Sequence, residues 1–132
     1  MSARTSPMDA TAVRARAAQA KIFLVTARLT VGDSPAANSV AGTNAVHAGI
    51  AAADAICGKT LGYCARGENH DDAVDLLARA ITDGGPSKNL ARLLSKKSLA
   101  GYSPTMLTDS KTAELVTYAE RLVEAMDAVL DR

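Results

Sequence analysis

Residues 38–61, NSVAGTNAVHAGIAAADAICGKTL, constrain this chain more than any other stretch. Between Asn38 and Gly58 the single charged residue is Asp54. Small or apolar side chains recur on nearly every turn, so a helix here has no face fit for water. A helix that is apolar all round is buried among other elements or sits in a membrane. Asn38, Asn44, His47 and Asp54 interrupt the run, and alanine is only weakly apolar, which argues against a membrane span. The stretch reads as the central helix of a bundle.

The rest of the composition agrees. The 132 residues suit one domain spanning 1–132, with 1–5 expected to be loose. The chain has 27 alanines against one Phe, three Tyr and no Trp. Alanine is the best helix former and lets helices approach closely, so the expected fold is all-α: an up-and-down bundle of four to five helices. A net charge of +1 gives no global pull toward nucleic acid or membrane. Locally, Lys88, Arg92, Lys96 and Lys97 form an acid-free basic segment. With Arg4, Arg14, Arg16, Lys21 and Arg28 they would make a basic patch if the first and fourth helices met. Cys57 and Cys64 do not make a disulfide framework; on one continuous helix they would lie roughly 10 Å apart along the axis. Reduced thiols and a cytoplasmic protein are expected. The Arg- and Ala-rich N-terminus reads as mature protein, because its apolar stripe runs into the fold.

Taken in order, Ser6-Pro7-Met8-Asp9 offers a helix start with Ser6 as N-cap and Pro7 at the first helical position. Val13, Ala17, Ala20, Leu24, Ala27 and Val31 then recur at helical spacing. Ile22-Phe23-Leu24-Val25 would suit a buried strand, but its flanks are helical. Gly32-Asp33-Ser34-Pro35 turns the chain, with Gly as C-cap and Ser or Asp as the next N-cap. The same triplet in a hydrolase would need a Gly-x-Ser-x-Gly elbow, which is lacking. Glycines 58, 62 and 67 punctuate the exit from the central helix. Asn69 is the expected N-cap of a third helix with Leu76 and Leu77 inward. Asp83-Gly84-Gly85-Pro86-Ser87 is expected to stop it, with Ser87 capping a short fourth helix. Residues 98–108 read as a loop. Thr108 or Asp109 caps the last helix, whose Leu115, Ala119, Leu122, Met126 and Val129 form the cleanest stripe in the chain.

Few residues can carry chemistry. Two His, two Cys and scattered acids, with neither C-x-x-C nor H-x-x-x-H spacing, predict no metal site and no cofactor. A cysteine on an apolar helix is ordinarily core, which weakens a Cys-His nucleophile. Arg66 and His70 are the catalytic candidates: Arg clamps phosphate and His transfers protons near neutral pH, so together they could cleave RNA by activating a 2′-hydroxyl. Their bland alternative is an exposed Arg and a first-turn His. Asn44, His47 and Asp54 fall within about 80° of one another on the central helix, given 100° per residue. Three polar groups there need partners from another helix or subunit.

The stretches AVHAGIAAADAI, GENHDDAVDLL and LARLLSKKSLAGYSP, followed by the long last helix, resemble the HEPN superfamily of small helical bundles. The resemblance covers about two-thirds of the chain. It implies a four- or five-helix bundle, commonly a homodimer with an RNA-facing cleft. It also implies membership of a toxin–antitoxin or defence pair, with a nucleotidyltransferase-type protein as partner. Active members carry Arg, four to six residues, then His. Here Arg66 and His70 have three residues between them, no His follows Arg92, and Gly101 stands where an acid usually precedes Tyr102. The expected function is therefore a non-catalytic binding module for a protein partner or RNA. Binding is expected at Asn44, His47, Asp54, Lys96, Lys97 and Tyr102. The rivals are a divergent metal-independent RNA nuclease and a nucleotide- or small-ligand-binding bundle. No membrane partner is expected.

Overall fold

The computed structural model describes residues 4–67, 69–97, 100 and 107–132, so the expected loop site Tyr102 lies outside the described residues. The described elements are β1 (Thr5–Pro7), α1 (Ala10–Thr30), α2 (Pro35–Leu61), β2 (Tyr63–Ala65), α3 (His70–Ala80), α4 (Gly84–Ser95) and α5 (Asp109–Leu130). Helix α2 is the axis of the molecule. Its consecutive Ala51, Ala52 and Ala53 are all buried, which at 100° per residue means that more than half its circumference is covered. Large side chains from other helices fill the space that α2 leaves. A Cβ on Gly49 would collide with Leu93 of α4 and lie 3.1 Å from Leu122 of α5. One on Gly42 would lie 2.6 Å from Leu107. These glycines let α4 and α5 approach the α2 backbone.

Pairwise contacts fix the helix directions. Arg16 meets Asp54 and Phe23 meets His47, so α1 and α2 run antiparallel. Arg28 pairs with Glu120 and Lys21 with Asp127, so α5 is antiparallel to α1 and parallel to α2. Arg92 lies over Tyr118 while Lys96 shares a cleft with Lys111, which makes α4 antiparallel to α5. Thus α1, α2, α4 and α5 alternate up and down, and α3 is an added short helix packed on α2 and α4. The expected inner stripes of α1 and α5 face the core; in α1 only Val31, its C-cap, is half-buried. Among the described residues, no helix is long and apolar enough to cross a membrane.

Asn38 ties three elements together and is almost wholly buried. Its Oδ1 accepts from Gly32 N at 2.7 Å, and its Nδ2 donates to Asp109 Oδ1 at 2.6 Å. The turn between α1 and α2 is thereby pinned to the start of α5. Ser34 caps α2 and Thr108 caps α5, each accepting a backbone N–H from the third residue beyond it.

Several expectations need correction. Ser6 and Pro7 do not open α1. They belong to β1, which pairs antiparallel with β2, Ser6 opposite Cys64. Arg66 N donates to Arg4 O at 2.8 Å, so residues 4 and 5 are held rather than loose. An edge strand tolerates proline because its N–H is dispensable there. Asp9 takes the cap instead, accepting from Ala12 N at 2.8 Å. Asp9→Ala is therefore expected to lower stability by about 1 kcal/mol in a thermal melt, whereas a Ser6→Ala change would leave that cap untouched. Equal losses from the two would restore Ser6 as the cap.

Gly84-Gly85-Pro86 is the first turn of α4 rather than the stop after α3. Asp83 caps it, accepting from Gly85 N at 2.9 Å. Pro86 lies in the first turn, where a backbone N–H has no acceptor inside the helix. Finally, α2 ends at Leu61, so Cys64 stands in β2 rather than two turns along the helix; both cysteines are free.

Candidate functional site

The polar face of α2 finds partners on α1. Asp54 has a side chain only 19% exposed, and its Oδ2 lies 3.0 Å from Arg16 Nε. Arg16 Nη1 also donates to Gln19 at 2.8 Å, which fixes the guanidinium. Burial pushes the Asp54 carboxyl above the usual range, and the Arg16 charge offsets only part of that rise. The His47 ring packs against Phe23 with centroids 5.3 Å apart. Burial, then the positive charges of Lys97 and Arg16, hold its pKa below the ordinary histidine value. Asn44 is half-buried on the same helix. Only one of the three polar groups is thus tied into an ion pair.

A cleft of about 190 Å³ opens between α2, α3 and α4. It brings together Asp54, His70 and Lys97, with Asn69 beside them and Cys57 and Ile50 in its wall. Arg66 is elsewhere. It lines a separate depression with Arg4 and Thr5. The cause is local: pairing of β1 with β2 holds Arg66 by the N-terminal strand, Gly67 reverses the chain at φ +108°, and Asn69 then caps the helix that begins with His70. The two catalytic candidates therefore face different depressions. Cys57 is 3% exposed, and burial pushes its thiol up to about 12, so it carries no thiolate at neutral pH.

A second cleft, of about 170 Å³, lies between α4 and α5. Arg92, Ser95 and Lys96 come from α4 and its C-cap; Lys111, Glu114 and Tyr118 come from α5; Leu107 and Leu115 add apolar wall. The Arg92 guanidinium carbon is 5.4 Å from the Tyr118 ring centroid. Tyr118 Oη donates to Glu114 Oε1 at 2.6 Å, a bond that raises the phenol pKa and lowers that of the carboxyl. Lys111 Nζ is 3.8 Å from Glu114 Oε2. Consecutive Lys96 and Lys97 thus serve different clefts. The basic residues of α4 meet Lys111 of α5, while α1 packs chiefly on α2 and α5.

Lys111, Glu114 and Tyr118 escaped the sequence reading. Their spacing of three and four places them on one helical face, as does the spacing of Arg92 and Lys96. What the sequence does not carry is that those two faces meet. Among the described residues, no group of three His, Cys, Asp or Glu side chains is placed to hold a metal ion.

No family model matches the chain, and neither do any curated proteins or solved structures.

Proposed function

We propose that this chain is a non-catalytic, HEPN-like binding module that holds single-stranded RNA in the α4–α5 cleft. One observation carries the reading: three cations from two helices, Arg92, Lys96 and Lys111, line one cleft with an aromatic ring. Lysine and arginine bind phosphates along a strand, and a base can stack on Tyr118 or on the Arg92 plane. The wall of Leu107 and Leu115 favours an unpaired base over a duplex backbone. The separation of Arg66 from His70 supports a binding role over cleavage, since proton transfer needs the acid or base within reach of the held phosphate.

Carried over from the HEPN resemblance, the reading includes a homodimer and a nucleotidyltransferase-type protein as the other half of a toxin–antitoxin or defence pair. The α2–α3–α4 cleft supports a second reading, a small anionic ligand held by His70 and Lys97 beside Asp54.

Fluorescence anisotropy with a labelled single-stranded RNA tests the first. The double substitution Lys96→Glu and Lys111→Glu should weaken binding about tenfold or more. It should also lower the slope of log affinity against log salt by roughly 0.7 for each phosphate that is no longer neutralised. Unchanged affinity and slope would remove RNA from this cleft. Cleavage of the RNA that disappears in His70→Ala would instead revive the nuclease reading.

A further inference from the structure

Helix α1 carries a second stripe that the core does not use. Thr11, Ala15, Ala18, Ile22, Val25 and Leu29 recur at spacings of four and three, and every one of them is exposed. Ile22 is 67% exposed, Val25 51% and Leu29 73%. These are three of the four exposed large hydrophobic residues among those described. The stripe lies on the face of α1 opposite Val13, Ala17, Ala20, Leu24 and Ala27. Such a spacing is the seam of a coiled coil, in which each side chain inserts between residues of a facing helix.

We propose that this seam is covered by α1 of a second copy of the chain, packed antiparallel about a two-fold axis near residue 20. Two features select that occupant. The first is shape. The stripe is small at its N-terminal half and large at its C-terminal half, and its positions are symmetric about their centre. An antiparallel copy sets Leu29 on Thr11, Val25 on Ala15 and Ile22 on Ala18, so each large side chain meets a small one, twice over. A parallel copy would crowd Leu29 against Leu29 and leave Ala15 and Ala18 facing a gap.

The second feature is charge. One flank of the seam carries Arg14, Lys21 and Arg28. Lys21 is held by Asp127 at 3.1 Å and Arg28 by Glu120 at 3.4 Å, both from α5. A two-fold axis across antiparallel helices brings like flanks together. The two Lys21–Asp127 pairs then meet at the axis, and Arg14 of each copy comes level with Glu120 of the other. The opposite flank offers the uncharged Gln19 and Thr26. The exposed apolar side chains of the stripe amount to on the order of 400 Å² per copy, about half of a standard partner's share. The dimer should accordingly be weak and concentration-dependent.

This inference deepens the homodimer part of the proposed reading and is independent of RNA binding. Sedimentation velocity across two decades of protein concentration should show a monomer–dimer equilibrium, and Ile22→Glu with Leu29→Glu should leave monomer throughout. Both substituted residues are exposed, and circular dichroism checks that the helices persist. Oxidative cross-linking gives a second readout on a Cys64→Ser background. A mixture of Thr11→Cys and Leu29→Cys chains should form mixed disulfide dimers, while Leu29→Cys alone should not. A chain that stays monomeric at every concentration overturns the proposal, as does a dimer indifferent to the two glutamates. Cross-linking by Leu29→Cys alone overturns the antiparallel arrangement. A dimer that binds no RNA leaves this inference standing and removes the RNA reading alone.

Discussion

Gly49→Val is expected to destabilise the protein by about 4 kcal/mol, above the ~1–3 kcal/mol usual for overpacking. The excess follows from where the new atoms would go. Already at Cβ, a side chain on residue 49 runs into Leu93 Cδ1 and stands 3.1 Å from Leu122 Cδ1. Two elements, α4 and α5, must retreat from α2 at once. Leu93 and Leu122 are themselves fully buried, so their terminal methyls can yield to a single Cβ by a small turn but not to a branched side chain. Valine adds two γ-methyls to this and returns only a few tenths of a kcal/mol in helix propensity over glycine. Gly49→Ala should be far milder, near 1 kcal/mol, because alanine recovers up to about 1 kcal/mol of propensity and the obstruction is the far end of two leucines. Denaturant melts of the pair check the ordering. A valine variant as stable as the parent would mean that α4 and α5 do not press on the α2 backbone at this point.

The sequence makes α2 legible for the same reason that Gly49 is critical. Ala51-Ala52-Ala53 sweeps about 200° of a helix without a polar side chain, so most of its circumference has to be buried, while Val40 and His47 mark the side that stays exposed. The stripe of Leu115, Ala119, Leu122, Met126 and Val129 is legible because one face carries all of its large residues. By contrast, β1 and β2 are three residues each, too short for any periodicity to register, and Ser6-Pro7 imitates a helix start that Asp9 supplies. The paired glycines before Pro86 look like a break, yet an aspartate cap starts a helix through them. On α1, Ile22-Phe23-Leu24-Val25 reads as one apolar run, but a helix divides it: Leu24 goes to the core while Ile22 and Val25 face outward.

Closeness along the chain misleads most at the candidate site. Arg66 and His70 are near neighbours in sequence, but a strand pairing, a left-handed glycine and a helix cap intervene. Lys96 and Lys97 are adjacent, but α4 ends between Ser95 and Lys96, its C-cap, and the two side chains line separate clefts. Lys111 and Tyr118 join Arg92 only through the packing of α5 on α4, which no local pattern of residues encodes.

Arg16→Leu is expected to cost about 2 kcal/mol at neutral pH and little in acid. A fully buried carboxylate stripped of its partner loses ~3–5 kcal/mol; Asp54 keeps 19% of its side-chain surface and Arg16 30%, so the penalty is discounted. The sign of the pH dependence follows from Asp54. Its folded pKa lies above the unfolded value of 3.8 because burial outweighs Arg16. A carboxyl raised in this way leaves stability complete below the unfolded pKa, and stability falls as pH rises through the folded pKa. Arg16 now limits that fall. Without its charge the folded pKa moves higher still, the pH interval widens, and the variant should diverge from the parent as pH climbs above 3.8. Below that pH the two should converge, apart from the packing of the Arg16 stem. Adding Asp54→Asn to Arg16→Leu should recover most of the neutral-pH loss, since no charge is then left buried. Denaturant melts across the acid range, on the single and double variants, decide the matter. A loss independent of pH and indifferent to Asp54→Asn would mean that Arg16 anchors α1 through its aliphatic stem. The Asp54 carboxylate, which shares its cleft with His70 and Lys97, would then have to be treated as a hydrated group.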